Sequence, residues 1–143
     1  MSTEAVGIDI RVRYAETDQM ASVYHANYFV WFEVARTEFL RATGASYRDL
    51  EDGDLMIPVV EASCRYLQPA RYDDMLRVEA RCQRVRRAQF RFDYRLLRPA
   101  DGAVLAEGWT LHAVTDRRGV PRRLPPNVVR QLFPDAAPPE GAE

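Results

Sequence analysis

Between residues 27 and 43 the apolar side chains recur at intervals of three and four: Tyr28, Trp31, Phe32, Ala35, Phe39 and Ala42. That spacing lines them along one side of a helix, and a stripe so rich in aromatic rings needs a broad surface to cover it. Glu33, Arg36, Thr37 and Arg41 fall on other faces, and Glu38 is placed to pair with Arg41 one turn on. Asn27 is a candidate N-cap and Gly44 a candidate C′ residue. A cofactor-stacking surface would also use aromatic rings, but the three-and-four spacing is what a helix needs to sit on a sheet.

The sheet is legible on either side of the helix. Residues 8–14 alternate Ile8, Ile10, Val12 and Tyr14 with Asp9, Arg11 and Arg13, the period of a half-buried strand. Beyond a short acidic connection at residues 51–54 come four more alternating runs. Val60, Ala62, Cys64 and Tyr66 mark one, and Leu76, Val78, Ala80 and Cys82 the next. Phe90, Phe92, Tyr94 and Leu96 follow, and the last run, residues 104–115, carries Trp109, Leu111 and His112. Asp73-Asp74, Arg86-Arg87 and Asp101-Gly102 are turn candidates between them. Consecutive strands with tight turns pair antiparallel. The expectation is an α+β fold, a five-stranded antiparallel sheet wrapped around one long central helix. Residues 1–133 form its single domain, and the Pro-, Ala- and acid-rich residues 134–143 read as a disordered tail.

Composition removes several functions. All 20 basic residues are arginine, a complete exclusion of lysine that reads as codon bias. They are interleaved with 21 acidic residues, so no global field for nucleic acid exists. No stretch approaches the roughly 20 apolar residues that span a bilayer. The first residues show no basic-then-apolar leader, and the expected location is cytoplasmic. Cys64 and Cys82 form no CxxC pair and read as reduced core residues. His25 and His112 alone cannot build a zinc site, and HExxH is absent.

The chemistry concentrates in residues 14–28, Y-A-E-T-D-Q-M-A-S-V-Y-H-A-N-Y, a polar segment between the first strand and the helix. The first N–H groups of a helix have no internal partner and carry positive partial charge, so a carbonyl oxygen placed there is polarised. A nearby carboxylate, Asp18, is a candidate base or nucleophile. The plainer alternative is that Asp18 only holds the loop in an Asx-turn, with His25 capping the helix or packing beside Tyr24.

The run R-Y-A-E-T-D-Q-M-A-S-V-Y-H-A-N-Y-F-V-W-F-E-V-A-R-T-E-F-L, Arg13 to Leu40, resembles the 4-hydroxybenzoyl-CoA thioesterase family of the hot-dog fold. Within that family it is most similar to the Tol–Pal-associated acyl-CoA thioesterases. The likeness continues through Y-L-Q-P-A-R-Y-D-D, Tyr66 to Asp74. It implies a helix wrapped in an antiparallel sheet and hydrolysis of an acyl-CoA. It also implies no cofactor beyond the coenzyme A of the substrate, and a homodimer or homotetramer with sites at subunit boundaries. By resemblance Asp18 is the catalytic aspartate, and His25 supplies the backbone N–H that faces the thioester carbonyl. Tyr24 and Tyr28 beside it are candidate substrate contacts. Arg86 and Arg87 occupy the neighbourhood where relatives touch coenzyme A phosphates, although a solvated hairpin explains them equally well.

The family usually has glycine three residues after the aspartate, and here that residue is Ala21. If the backbone needs φ > 0 there, alanine costs about 1 kcal/mol or more. A hydratase on this fold has aspartate and histidine five apart with an intervening Asn-Pro; here they are seven apart and no Asn-Pro occurs. No GxSxG supports a serine hydrolase. The remaining rival is a non-catalytic protein that binds acyl-CoA or an acyl carrier.

Overall fold

The computed structural model describes residues 5–86 and 88–133. The expected tail and Arg87 lie outside them. The chain runs β1 (Val6–Arg11), a 3-10 turn (Tyr14–Glu16), α1 (Ala26–Thr43), α2 (Tyr47–Asp52), β2 (Val59–Tyr66), β3 (Met75–Arg86), β4 (Gln89–Arg98), β5 (Ala103–Ala113) and α3 (Pro126–Leu132). The five strands form one antiparallel sheet in the order β1-β3-β4-β5-β2. Because β1 and β2 are opposite edges, the chain between them must cross the whole sheet. At 1.5 Å per residue the 18 residues of α1 reach about 27 Å, against about 19 Å across five strands. The helix is therefore long enough to make the crossing, and it does so on the concave face.

Most of its stripe is buried as the spacing predicts, Tyr28, Trp31, Phe32, Ala35 and Phe39 being at most 2% exposed, but Ala42 is exposed and Leu40 is buried in its stead. Phe32 lies flat on Tyr94 of β4, with ring centroids 4.4 Å apart and planes 4° from parallel. Gly108 of β5 makes that possible. A Cβ there would stand 2.7 Å from the Phe32 ring and 2.5 Å from the Ser63 carbonyl oxygen. Gly44 ends α1 in the left-handed conformation (φ 87°), as a C′ glycine should. Arg41 pairs with Glu38 one turn before it.

Several expectations need correction. β1 stops at Arg11, and Tyr14 is 77% exposed in the following turn. The chain leaves the sheet because the Arg13 N–H donates to the Glu16 carboxylate (2.7 Å) instead of to a strand. His25, not Asn27, caps α1; the Asn27 amide reaches back to the Glu16 carbonyl (2.9 Å). A second helix, α2, runs into the acidic connection and is capped by the Ser46 hydroxyl, which accepts from the Asp49 N–H (3.2 Å). The inward set expected for β2 is only partly covered: Val60 and Tyr66 are 49% and 44% exposed, and Cys64 is half-buried. β2 is an edge strand, with no strand beyond it among the described residues. Cys82 is buried, and neither cysteine is in a disulfide. Arg86 ends β3 rather than sitting in the turn, after a register shift at Arg84.

Arg36 is the largest departure. It is buried, with Nε donating to the Tyr47 hydroxyl (2.7 Å) and Nη1 to the Tyr94 hydroxyl (2.9 Å). The polar chain continues from Tyr94 to Thr110 (2.7 Å), to His112 Nε2 (2.8 Å), and from His112 Nδ1 to the Ile57 carbonyl (2.8 Å). A charge on a helix face next to a sheet is thus kept by phenols and a hydroxyl.

Candidate active site

The segment before α1 folds back as a small hairpin. Thr17 bridges Val23, the Asp18 N–H donates to the Ser22 carbonyl (2.8 Å), and the Ala21 N–H to the Asp18 carbonyl (3.0 Å). Ala21 sits at its tip with φ 63°, so the left-handed backbone of a glycine is adopted by an alanine. Asp18 Oδ1 accepts from the Met20 N–H (2.9 Å), which is an Asx-turn. The structural role and an exposed second oxygen therefore coexist in one carboxylate.

Glu16, which sequence reasoning passed over, ties the hairpin to the helix. It is buried and accepts the Arg13 N–H (2.7 Å) and the Trp31 indole N–H (2.9 Å) through its carboxylate. Its carbonyl takes the Tyr24 N–H and the Asn27 amide, both at 2.9 Å. Burial alone would raise this carboxyl, but the hydrogen bonds from Arg13 and Trp31 outweigh it and hold it below the ordinary value. The only signal in the sequence was a glutamate fifteen residues before a tryptophan, which no periodicity marks.

At the mouth of α1 the Asn27 N–H donates to Tyr24 and the Tyr28 N–H to His25. Among the described residues, the N–H groups of His25 and Ala26 have no acceptor. Rings gather around this mouth: the His25 ring lies 4.5 Å from Tyr24 and 6.2 Å from Tyr66, and Tyr66 meets Tyr28 edge-on at 4.8 Å. A cavity of about 280 Å³ opens here, lined by Val23, His25, Tyr28, Tyr66, Leu67, Gln68 and Pro69. Its floor is fixed by Tyr28, whose hydroxyl accepts the Ala70 N–H (3.2 Å). Burial pushes the Tyr28 hydroxyl up and Tyr66 up to about 12, so both remain protonated donors at neutral pH.

Of the expected site residues, His25 and Tyr28 line this cavity; Tyr24 packs at a tilt against His25 without lining it, and neither Asp18 nor Arg86 reaches it. Tyr66, on the opposite wall, was not among the expected residues. Asp18 sits beside the mouth in sequence, while Arg86 is remote. Tyr66 pairs with Ala106 of β5, whereas Gln89, the partner of Arg86, pairs with Ala113. Seven residues at about 3.3 Å separate those ends, roughly 23 Å along the sheet. A larger recess of about 420 Å³ lies on the outer face among Arg65, Arg91, Arg95 and Trp109. Ion pairs of Arg91 with Asp93 (2.9 Å) and Arg95 with Glu79 (3.1 Å) wall it, and it lies away from the helix mouth. No group of three or more metal-ligating side chains is present among the described residues, and none of their helices is long and apolar enough to cross a membrane.

A helix cradled by a 1-3-4-5-2 antiparallel sheet, with unpaired amides at its mouth, is the hot-dog architecture. The chain belongs to the thioesterase-like superfamily, which matches it over residues 12–132. It is 35% identical over 127 residues to YneP of Bacillus subtilis (strain 168), covering 89% of this chain and 88% of that one. To the acyl-CoA thioester hydrolase YbgC of Escherichia coli O157:H7 it is 33% identical over 133 residues, 92% of this chain and 98% of the relative. Among solved structures, 4-hydroxybenzoyl-CoA thioesterase, as an Asp-to-Asn mutant with 4-hydroxybenzoyl-CoA bound, superposes with a TM-score of 0.83. That match covers 91% of this chain and 99% of the other; at 16% identity it speaks for the fold alone.

Proposed function

We propose that this protein is an acyl-CoA thioesterase, hydrolysing the thioester to a carboxylic acid and free coenzyme A. The observation that carries the reading is His25 at the mouth of α1, whose N–H has no acceptor among the described residues and which lines a ring-walled cavity beside the Asp18 hairpin. The carbonyl oxygen would sit against the His25 N–H, where negative charge developing in the tetrahedral intermediate is stabilised. Asp18 acts either as general base, taking a proton from the attacking water, or as nucleophile through a mixed anhydride. In both routes the C–S bond breaks and the proton ends on the coenzyme A thiolate. Water is the only co-reactant, and the reading calls for no metal or redox cofactor.

The active form in this reading is a cytoplasmic homo-oligomer, a dimer or tetramer. Support comes from the open edge of β2, with Val59, Val60 and Tyr66 exposed, and from Val30 and Val34 of α1, also exposed. Arg86 points the same way: it is too far along the sheet to meet a ligand in its own chain's cavity, so Arg86 and Arg87 of a second copy would hold the nucleotide phosphates. Tyr24 and Tyr28 contact the pantetheine or acyl portion.

The test is thiol release from a panel of acyl-CoAs by wild type and Asp18→Asn. Release by wild type and its loss in the variant is expected; near-normal turnover in Asp18→Asn overturns the assignment of Asp18. The Asx-turn at Asp18 favours one other reading, a non-catalytic acyl-CoA or acyl-carrier binding protein in which the carboxylate is structural. Binding of acyl-CoA without release of thiol by wild type would establish it.

A further inference from the structure

The Tyr66 hydroxyl reaches beyond its own strand to the α1 mouth. It donates to the carbonyl of His25 (3.1 Å). That carbonyl and the N–H of Ala26 belong to one rigid peptide plane, so fixing one end fixes the direction of the other. Hydrogen bonding at a carbonyl also strengthens the donor on the far side of the same amide, because successive dipoles polarise one another. Of the two N–H groups at the α1 mouth that have no acceptor among the described residues, that of Ala26 is the one on this plane. The Tyr66 ring is itself held, edge-on against Tyr28 at 4.8 Å, with Cys64 against its hydroxyl. Tyr28 in turn is locked to the β2–β3 connection through the Ala70 N–H.

We propose that Tyr66 is a positioning residue: by holding the His25 carbonyl it aims the Ala26 N–H beside the His25 N–H, so that the thioester oxygen meets two backbone donors. This rests on the thioesterase reading for its chemistry, but not for its geometry. Ala26 is what allows the second donor, since a proline at that first helical position would lack the N–H. Tyr66 touches no reacting atom. Its effect is exerted through the peptide plane and belongs to the transition state, where the oxygen carries most charge.

The experiment compares wild type with Tyr66→Phe, which keeps the ring and its packing and removes only the hydroxyl. In ¹⁵N-labelled protein the Ala26 amide resonance is expected to move, with the thermal unfolding midpoint nearly unchanged. In thiol release, kcat is expected to fall about tenfold with KM within about twofold of wild type, the signature of an interaction made mainly in the transition state. An Ala26 resonance that stays in place overturns the proposal. A rise in KM at constant kcat overturns it as well, because the hydroxyl would then serve binding. If wild type hydrolyses no acyl-CoA, the thioesterase reading falls, and the Ala26 resonance alone still decides whether Tyr66 controls the peptide plane.

Discussion

Ala21 holds a conformation that costs an L-residue about 1–2 kcal/mol, at the tip of the hairpin that presents Asp18. Glycine would remove that strain but loses more entropy on folding, by about 0.5–1 kcal/mol. The balance favours Ala21→Gly by about 0.5–1 kcal/mol, readable as a higher urea midpoint at unchanged slope. A lower midpoint would mean that the alanine methyl packs against something worth more than the strain. The position was marked in the sequence by its departure from the family glycine, and the backbone has kept the glycine geometry. Asp18 and His25 were legible for the same reason, because they stand in a contiguous run with a specific spacing. Tyr66 and Glu16 were not. Tyr66 lies 41 residues from the carbonyl it serves, and its strand pattern announced only an inward-facing side chain. Contacts between distant segments leave no local signature when each partner also satisfies its own element's pattern.

The elements themselves were mostly readable, and their errors have physical causes. α1, β3, β4 and β5 carry strong periods and were placed within a few residues. α2, of six residues, and α3, of seven, are too short to show one. Gly108 carries a packing constraint that its strand pattern does not display, since the absent side chain is what lets α1 approach β5. Gly108→Ala is expected to cost about 1–3 kcal/mol in denaturant unfolding, as overpacking does, because both near contacts are fixed. A loss below about 0.5 kcal/mol would show that the Phe32 ring can slide off Tyr94. β2 carries the opposite message: an alternating strand whose inward set is left half exposed is asking for a neighbour. Val60→Asp is expected to shift the protein to monomer in sedimentation velocity and to lower thiol release with it. An unchanged oligomer would place the interface elsewhere.

At the scale of the whole molecule, one polar chain joins α2, α1, β4, β5 and the segment just before β2, and its direction is set by its ends. Arg36 can only donate, so the Tyr94 hydroxyl accepts from it and donates to Thr110. Thr110 then donates to His112 Nε2, while the Ile57 carbonyl requires a proton on Nδ1. Every donor meets an acceptor only when His112 is neutral. A second proton on its ring would turn Nε2 into a donor facing a donor, in a buried site that already holds the Arg36 charge. Burial first, and then that charge, pull the histidine down to about 4 despite the Ile57 hydrogen bond. The unfolded chain takes up this proton near pH 6.5 and the folded chain only near 4. Stability from His112 is therefore complete above about pH 6.5 and is lost as pH falls towards 4, about 3 kcal/mol in all. His112→Gln can donate to Ile57 and accept from Thr110 without titrating. Its stability is expected to fall less steeply than wild type between pH 6.5 and 4.5, by close to one proton in the linkage slope at pH 5. Parallel curves for the two proteins would mean that the folded histidine accepts its proton as readily as the unfolded one, with the Thr110 hydroxyl turned away from Nε2.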